Sequence, residues 1–258
     1  MRRQIWRKAL IFISFLLFPL TIYYFSPALI IIAAADGIVA TSFIIFTVMF
    51  FLSLVFGRLF CGWVCPAGGL QEASFMINNK AARGGKAYRI KYYIWVPWLL
   101  LIILLFIRAG GIRQVDPLYH IPGGISVSQP GDYIIYFFIV GLIFILSLTA
   151  GKRAFCHYLC WMAPFMIIGT KIKSVRLWPS LHLTTVSDTC NNCKRCNKEC
   201  PMSLDVNTLV NSGIENNPEC ILCAACIDAC PQSVLRFSFS KASLQHNKYF
   251  RAVKRHEK

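Results

Sequence analysis

The chain has 258 residues, 56% of them hydrophobic and only 15% charged, with a mean hydropathy of +0.55. That composition excludes an all-soluble domain and a disordered chain. The net charge of +16 is unevenly distributed, and all twelve cysteines fall in paired or grouped spacings. No nucleic acid is expected among its partners.

Four apolar runs have bilayer length: Ala9–Phe25, Ile38–Phe56, Tyr92–Ile107 and Tyr133–Ala150. Each approaches the roughly 20 residues needed to cross the hydrocarbon core, and none holds a formal charge. Pro19 and Pro97 lie inside two of them, which neighbouring helices make tolerable. The apolar Leu29–Ala35 reads either as a helix extension or as an interfacial segment. Of the 27 Lys and Arg residues, all but Arg108 and Arg113 flank the same ends of these runs. Basic loops stay on the cytoplasmic side. The expectation is therefore a multi-pass protein of the cell membrane with both termini cytoplasmic, in contact with membrane lipid. A cleaved leader within 1–35 is the lesser alternative, because the apolar stretch is long for one.

Residues 190–201 read CNNCKRCNKECP and residues 220–231 read CILCAACIDACP. Cys190, Cys193, Cys196 and Cys200, and likewise Cys220, Cys223, Cys226 and Cys230, follow C-x2-C-x2-C-x3-C-P. In two-cluster ferredoxins three thiolates of a tight loop bind one cube, and the fourth ligates the other. This pairs Cys190, Cys193, Cys196 and Cys230 on one [4Fe-4S] cluster, and Cys220, Cys223, Cys226 and Cys200 on the second. Zinc sites use paired cysteines separated by longer loops, and disulfides are disfavoured on the cytoplasmic side. Residues 188–240 thus resemble a bacterial-type two-cluster ferredoxin domain. Asp188, Glu199, Asp205, Glu215, Glu219 and Asp228 concentrate acid there, which suits either a basic redox partner or ordinary solubility.

A second set of cysteines follows the second and fourth apolar runs. GRLFCGWVCP carries Cys61 and Cys65; GKRAFCHYLCW carries Cys156 and Cys160. Helix, outer loop, helix and cysteine pair recur, which reads as a two-fold internal repeat about an axis along the membrane normal. Spacing of i, i+4 places both thiols of a pair on one helical face. Four soft sulfur ligands suit copper, zinc or a third iron–sulfur cluster. Buried thiols, or a pair cycling between dithiol and disulfide, remain alternative readings.

Together these motifs resemble the membrane-bound polyferredoxins of the NapH type. The resemblance implies a four-helix electron-transfer subunit associated with quinol oxidation, with related members in metalloenzyme maturation and assembly. The family usually places proline directly after the second cysteine of each pair; here Trp161 follows Cys160, and Pro164 comes three residues later.

The expected fold is an α-helical membrane protein, four transmembrane helices as a two-fold repeat over 1–170, with a small α+β ferredoxin domain. An interfacial linker (171–187) joins the two, Trp161–Ile168 forming an interfacial helix before it, and a basic tail follows (241–258). Gln114, Asp116, Tyr119 and His120 in QVDPLYH read as proton acceptors for a quinol or as helix-capping surface groups; His157 reads as a ligand or as packing. Neither a dinucleotide fingerprint nor a phosphate loop is present. The expected function is relay of single electrons between a quinone pool or partner subunit and a redox protein. Copper reduction or metalloenzyme assembly is the alternative.

Overall fold

The computed structural model describes residues 2–175, 178–185, 189–213 and 217–241. Arg176, Asp188, Glu215 and the basic tail after Lys241 lie outside the described residues.

The chain opens with α1 (Arg2–Leu16), α2 (Phe18–Thr21) and α3 (Pro27–Ala35), then a three-residue strand β1 (Ile38–Ala40) and α4 (Thr41–Phe56). Next come α5 (Leu59–Trp63), α6 (Pro66–Ala73) and the long α7 (Ile90–Arg108). Strand β2 (Gln114–Asp116) precedes α8 (Pro130–Ala150), α9 (Ala154–Tyr158) and α10 (Met162–Val175). The last part holds β3 (Pro179–Thr185), α11 (Arg195–Glu199), α12 (Val206–Asn211), α13 (Ala225–Ala229) and β4 (Leu235–Lys241).

Among the described residues two helices are long and apolar enough to cross a membrane, Ala87–Arg108 and Pro130–Ala150. The first expected run is instead broken, with 62° between Arg2–Leu16 and Phe18–Phe25. Pro19 explains the break, since it lacks the N–H that would bond the Phe15 carbonyl and its ring crowds that turn. Pro97, by contrast, sits inside an unbroken α7. The second run starts later than its composition suggests. Gly37, with φ +72°, turns the chain, and Ile38–Ala40 pairs in parallel with Gln114–Asp116 before α4 begins. Leu29–Ala35 resolves as helix, and the Trp161–Ile168 helix runs on to Val175.

The chain divides into two compact units. One comprises 1–10, 51–63 and 166–258, so the ferredoxin-like part packs with the start of α1, the end of α4, α5 and α10. The other comprises 11–50 and 64–165. Its core gathers Phe18, Ile22, Leu70, Val127, Ile143 and Phe155. In the first unit β3 and β4 pair antiparallel, Pro179 opposite Lys241 and Thr185 opposite Leu235, while α11 and α13 lie against each other.

Candidate metal centres

The two ferredoxin runs fold alike. Asn192 and Lys194 in the first, and Leu222 and Ala224 in the second, all have φ between 50° and 57° or at 63°. Lys194 and Ala224 then cap α11 and α13. Left-handed residues at alternate positions turn successive backbone N–H groups to one side, a concavity that suits an anion. Cys200 and Cys230 each leave their helix in extended conformation, as the following Pro201 and Pro231 require.

This folding interleaves the runs. Cys200, Cys220, Cys223 and Cys226 line one cavity, with Leu222, Val206 and Lys173. Cys190, Cys193, Cys196 and Cys230 line another, with Asn207 and Lys194. Cys200, Cys223 and Cys226 are buried, whereas Cys193 is exposed. Among the described residues no three or more His, Cys, Asp or Glu side chains gather as they would around a single ion. A cube holds its thiolates farther apart, at the corners of a larger cage. Four thiols around each cavity, on loops of this conformation, therefore fit a [4Fe-4S] cluster.

Burial weighs on these thiols. It pushes Cys200 up to about 12, with Cys223 and Cys220 adding repulsion. Burial likewise raises Cys220 to about 11, against backbone hydrogen bonding and the nearby cations Arg58 and Lys173. Cys226 and Cys196 are also raised, chiefly by burial. Thiolates in such surroundings need a positive centre, and iron supplies one.

The membrane-edge cysteines do not lie along continuous helices as their spacing suggested. Cys61 is in α5, but Cys65 is extended (φ −63°, ψ 119°) ahead of Pro66 and caps α6. Cys156 is in α9, and Cys160 follows its end. Each pair thus straddles a helix break, which Pro66 enforces in the first. Cys61 belongs to the first unit, where its Sγ lies 3.5 Å from Met166 Sδ. Cys65, Cys156 and Cys160 belong to the second. There Gln71 Nε2 donates to Cys156 Sγ at 3.2 Å while its Oε1 accepts from the Phe155 N–H. The fully buried Arg153 pairs with Glu72 beside them. Burial alone would lower the Arg153 pKa, yet Glu72, Cys156 and Cys65 together hold it above its ordinary value.

Elsewhere in the second unit, His120 lines an open pocket with Tyr23, Leu29, Ile32 and Asp132, whose carboxylate accepts from Tyr23 at 2.7 Å. Tyr119 donates to Asp36, and that bond, more than burial, pushes its pKa up to about 12. Gln114 and Asp116 form β2. His157 is buried, stacked on Tyr88 at 4.6 Å.

A family model described as a 4Fe-4S binding domain matches residues 38–83 and 133–173, and one described as a 4Fe-4S dicluster domain matches 189–235. An uncharacterized protein of Methanocaldococcus jannaschii is 28% identical over 73% of this chain and 75% of its own. The putative electron transport protein YccM of Escherichia coli K12 is 26% identical over 78% of this chain, which spans 57% of that protein. The ferredoxin-type protein NapH of Haemophilus influenzae is 25% identical over 74% of this chain and 66% of that one. The chain is an iron–sulfur electron-transfer protein, similar to the NapH-type polyferredoxins. It is a helical membrane protein with a C-terminal ferredoxin domain, and it carries [4Fe-4S] clusters. No solved structure matches it.

Several residues that support the ferredoxin loops escaped sequence reasoning. Arg3 and Gln4, legible only as part of a basic N-terminus, both bond Asp228 at 2.6 Å, and Gln4 also donates to the Cys223 carbonyl. Buried Arg7 donates to the Gly62 carbonyl at 2.9 Å. Fully buried Arg58 pairs with Glu219, next to Cys220, at 2.7 Å. Trp63 Nε1 donates to the Leu222 carbonyl at 3.0 Å. Gly62 passes the same loop so closely that a Cβ there would stand 2.3 Å from the Ile221 oxygen. The repeated GR and GK before the cysteine pairs were the available signal, but their partners lie far away in sequence.

Proposed function

We propose that this protein is a polyferredoxin of the NapH type, a four-span relay passing single electrons between a membrane-side donor or acceptor and a redox protein on the cytoplasmic face. The observation that carries the reading is the pair of cavities, each lined by three cysteines of one ferredoxin run and the fourth of the other. On this reading Cys190, Cys193, Cys196 and Cys230 hold one [4Fe-4S] cluster, and Cys200, Cys220, Cys223 and Cys226 hold the second. Each cluster, when bound, supplies reversible one-electron chemistry. The protein's part is to hold the thiolates, to exclude water from the buried site and to set the charge around each.

The bent Arg2–Phe25 pair and the apolar α4 support two further membrane crossings beside α7 and α8. The distribution of lysine and arginine supports a cytoplasmic ferredoxin domain. Cys61, Cys65, Cys156 and Cys160 are read as a third metal centre or cluster, supported by one 4Fe-4S model that matches both halves of the repeat. The open His120 pocket, with Leu29 and Ile32 beside Asp132 and Tyr23, supports reading the second unit as the one that takes a quinone headgroup.

Anaerobic purification with iron, sulfide, copper and zinc quantified, followed by redox-titrated EPR, tests the reading. Cys200→Ser and Cys220→Ser are expected to alter the same one of two cubane signals, because their thiols share a cluster. Alteration of different signals refutes the interleaved assignment. Cys61→Ser with Cys156→Ser is expected to remove a third centre; an unchanged metal and cluster content refutes that centre. Stoichiometric copper lost with those two thiols favours metal handling instead.

A further inference from the structure

Lys173 is 2% exposed, on α10 within the ferredoxin-containing unit. Its ammonium donates to the Leu181 carbonyl and lines the cavity of Cys200, Cys220, Cys223 and Cys226. A buried ammonium costs several kcal/mol unless an opposite charge accompanies it. Among the described residues no carboxylate pairs with Lys173; the groups around it able to carry the opposite charge are the cysteines that line the same cavity. Gly57 keeps the place open: with φ +57° and no side chain, it leaves free a position where a Cβ would stand 3.3 Å from Nζ. Arg58, the other cation near Cys220, is matched by Glu219 and adds little net charge. The second cavity also has a lysine, Lys194, but that residue is exposed and water screens it.

We propose that Lys173 is the counter-charge of the cluster bound by Cys200, Cys220, Cys223 and Cys226, and that it selectively raises that cluster's reduction potential. This rests on the ligand assignment proposed above. Adding one electron to a thiolate-bound cluster adds one negative charge, with no bond formed and no proton required. A fixed positive charge favours the reduced state, and cluster potentials respond to local charge and solvent exposure. The interaction is about four times stronger at an effective dielectric of about 20 than in water at about 80. Burial by itself disfavours the extra negative charge. Lys173 would offset that and keep the deeper cluster, held by Cys200, Cys220, Cys223 and Cys226, within reach of a one-electron donor.

The test uses full-length protein purified anaerobically, with the two cluster signals first assigned through Cys220→Ser and Cys200→Ser. Lys173→Gln is expected to make the Cys220 signal at least tenfold harder to reduce, a shift of about 59 mV for one electron, and to leave the other within error. Lys173→Arg is expected to restore the native midpoint. No shift, or equal shifts of both signals, overturns the proposal. Should Lys173→Gln lose the cluster, iron content decides: retention in Lys173→Arg supports a counter-charge, and loss in both variants shows mere packing and overturns it. If Cys200→Ser and Cys220→Ser alter different signals, the ligand assignment fails separately, and Lys173 is still judged on the signal that contains Cys220.

Discussion

Replacing Gly62 by alanine tests whether α5 and the second cluster loop are built to touch. An added Cβ would stand 2.3 Å from the Ile221 oxygen and 3.4 Å from both Cα and Cβ of Cys223. Carbon and carbonyl oxygen approach comfortably at about 3.3–3.6 Å, so the loop must withdraw by roughly 1 Å. It has little freedom to do so, since Trp63 holds the Leu222 carbonyl and Gln4 holds that of Cys223. Overpacking against a fixed backbone costs about 1–3 kcal/mol, and this contact belongs near the upper end. Alanine regains about 1 kcal/mol of helix propensity over glycine in α5. The expected net loss is about 2 kcal/mol, more than tenfold in an equilibrium constant. Cluster retention, followed by visible absorbance in rising guanidinium, reads this directly, with iron per chain as a second measure. Gly141→Ala in α8, where nothing lies within 4 Å of the added carbon, is the control and should be neutral or slightly stabilising. A Gly62→Ala protein as resistant as wild type, with full iron, would refute the close approach.

Arg58→Met removes the guanidinium that pairs with Glu219, and because that carboxylate is only 15% exposed the expected cost is about 3 kcal/mol. The same guanidinium assay on Arg58→Met with Glu219→Gln should recover most of the loss; simple additivity would deny the pairing. Asp228 is partly buried, which alone would raise its pKa, but hydrogen bonds from Arg3 and Gln4 and the Arg3 charge lower it overall. Its contribution is therefore complete above the unfolded value of about 3.9 and is lost as pH falls through the folded one. Arg3 is 37% exposed, so the effect stays below about 1 kcal/mol. Asp228→Asn at neutral pH should lower amide protection across residues 2–10 to the level wild type reaches only below pH about 4. Equal protection in both proteins at neutral pH would remove Asp228 as the anchor of that helix.

Local chemistry was legible in the chain itself. Cysteines at two- and three-residue intervals before proline dictate tight loops of thiolates, and the left-handed residues between them follow from that geometry. Uninterrupted apolar runs such as Tyr92–Ile107 and Tyr133–Ala150 predict α7 and α8 closely, since a bilayer-length helix satisfies its own backbone. Where short-range rules compete, the sequence misled. Pro19 broke a helix that Pro97 did not, and strand pairing to Gln114–Asp116 claimed Ile38–Ala40 from α4. The i, i+4 spacing of Cys61 and Cys65 concealed a break that Pro66 imposes. Tertiary structure alone decided the supporting residues: Arg58 with Glu219, Gly62 against Ile221, and Lys173 at the cluster cavity. Each of these joins positions that no local period relates. Their pairing follows from burial, where a charge must find its opposite and a backbone approaches only where no side chain intervenes.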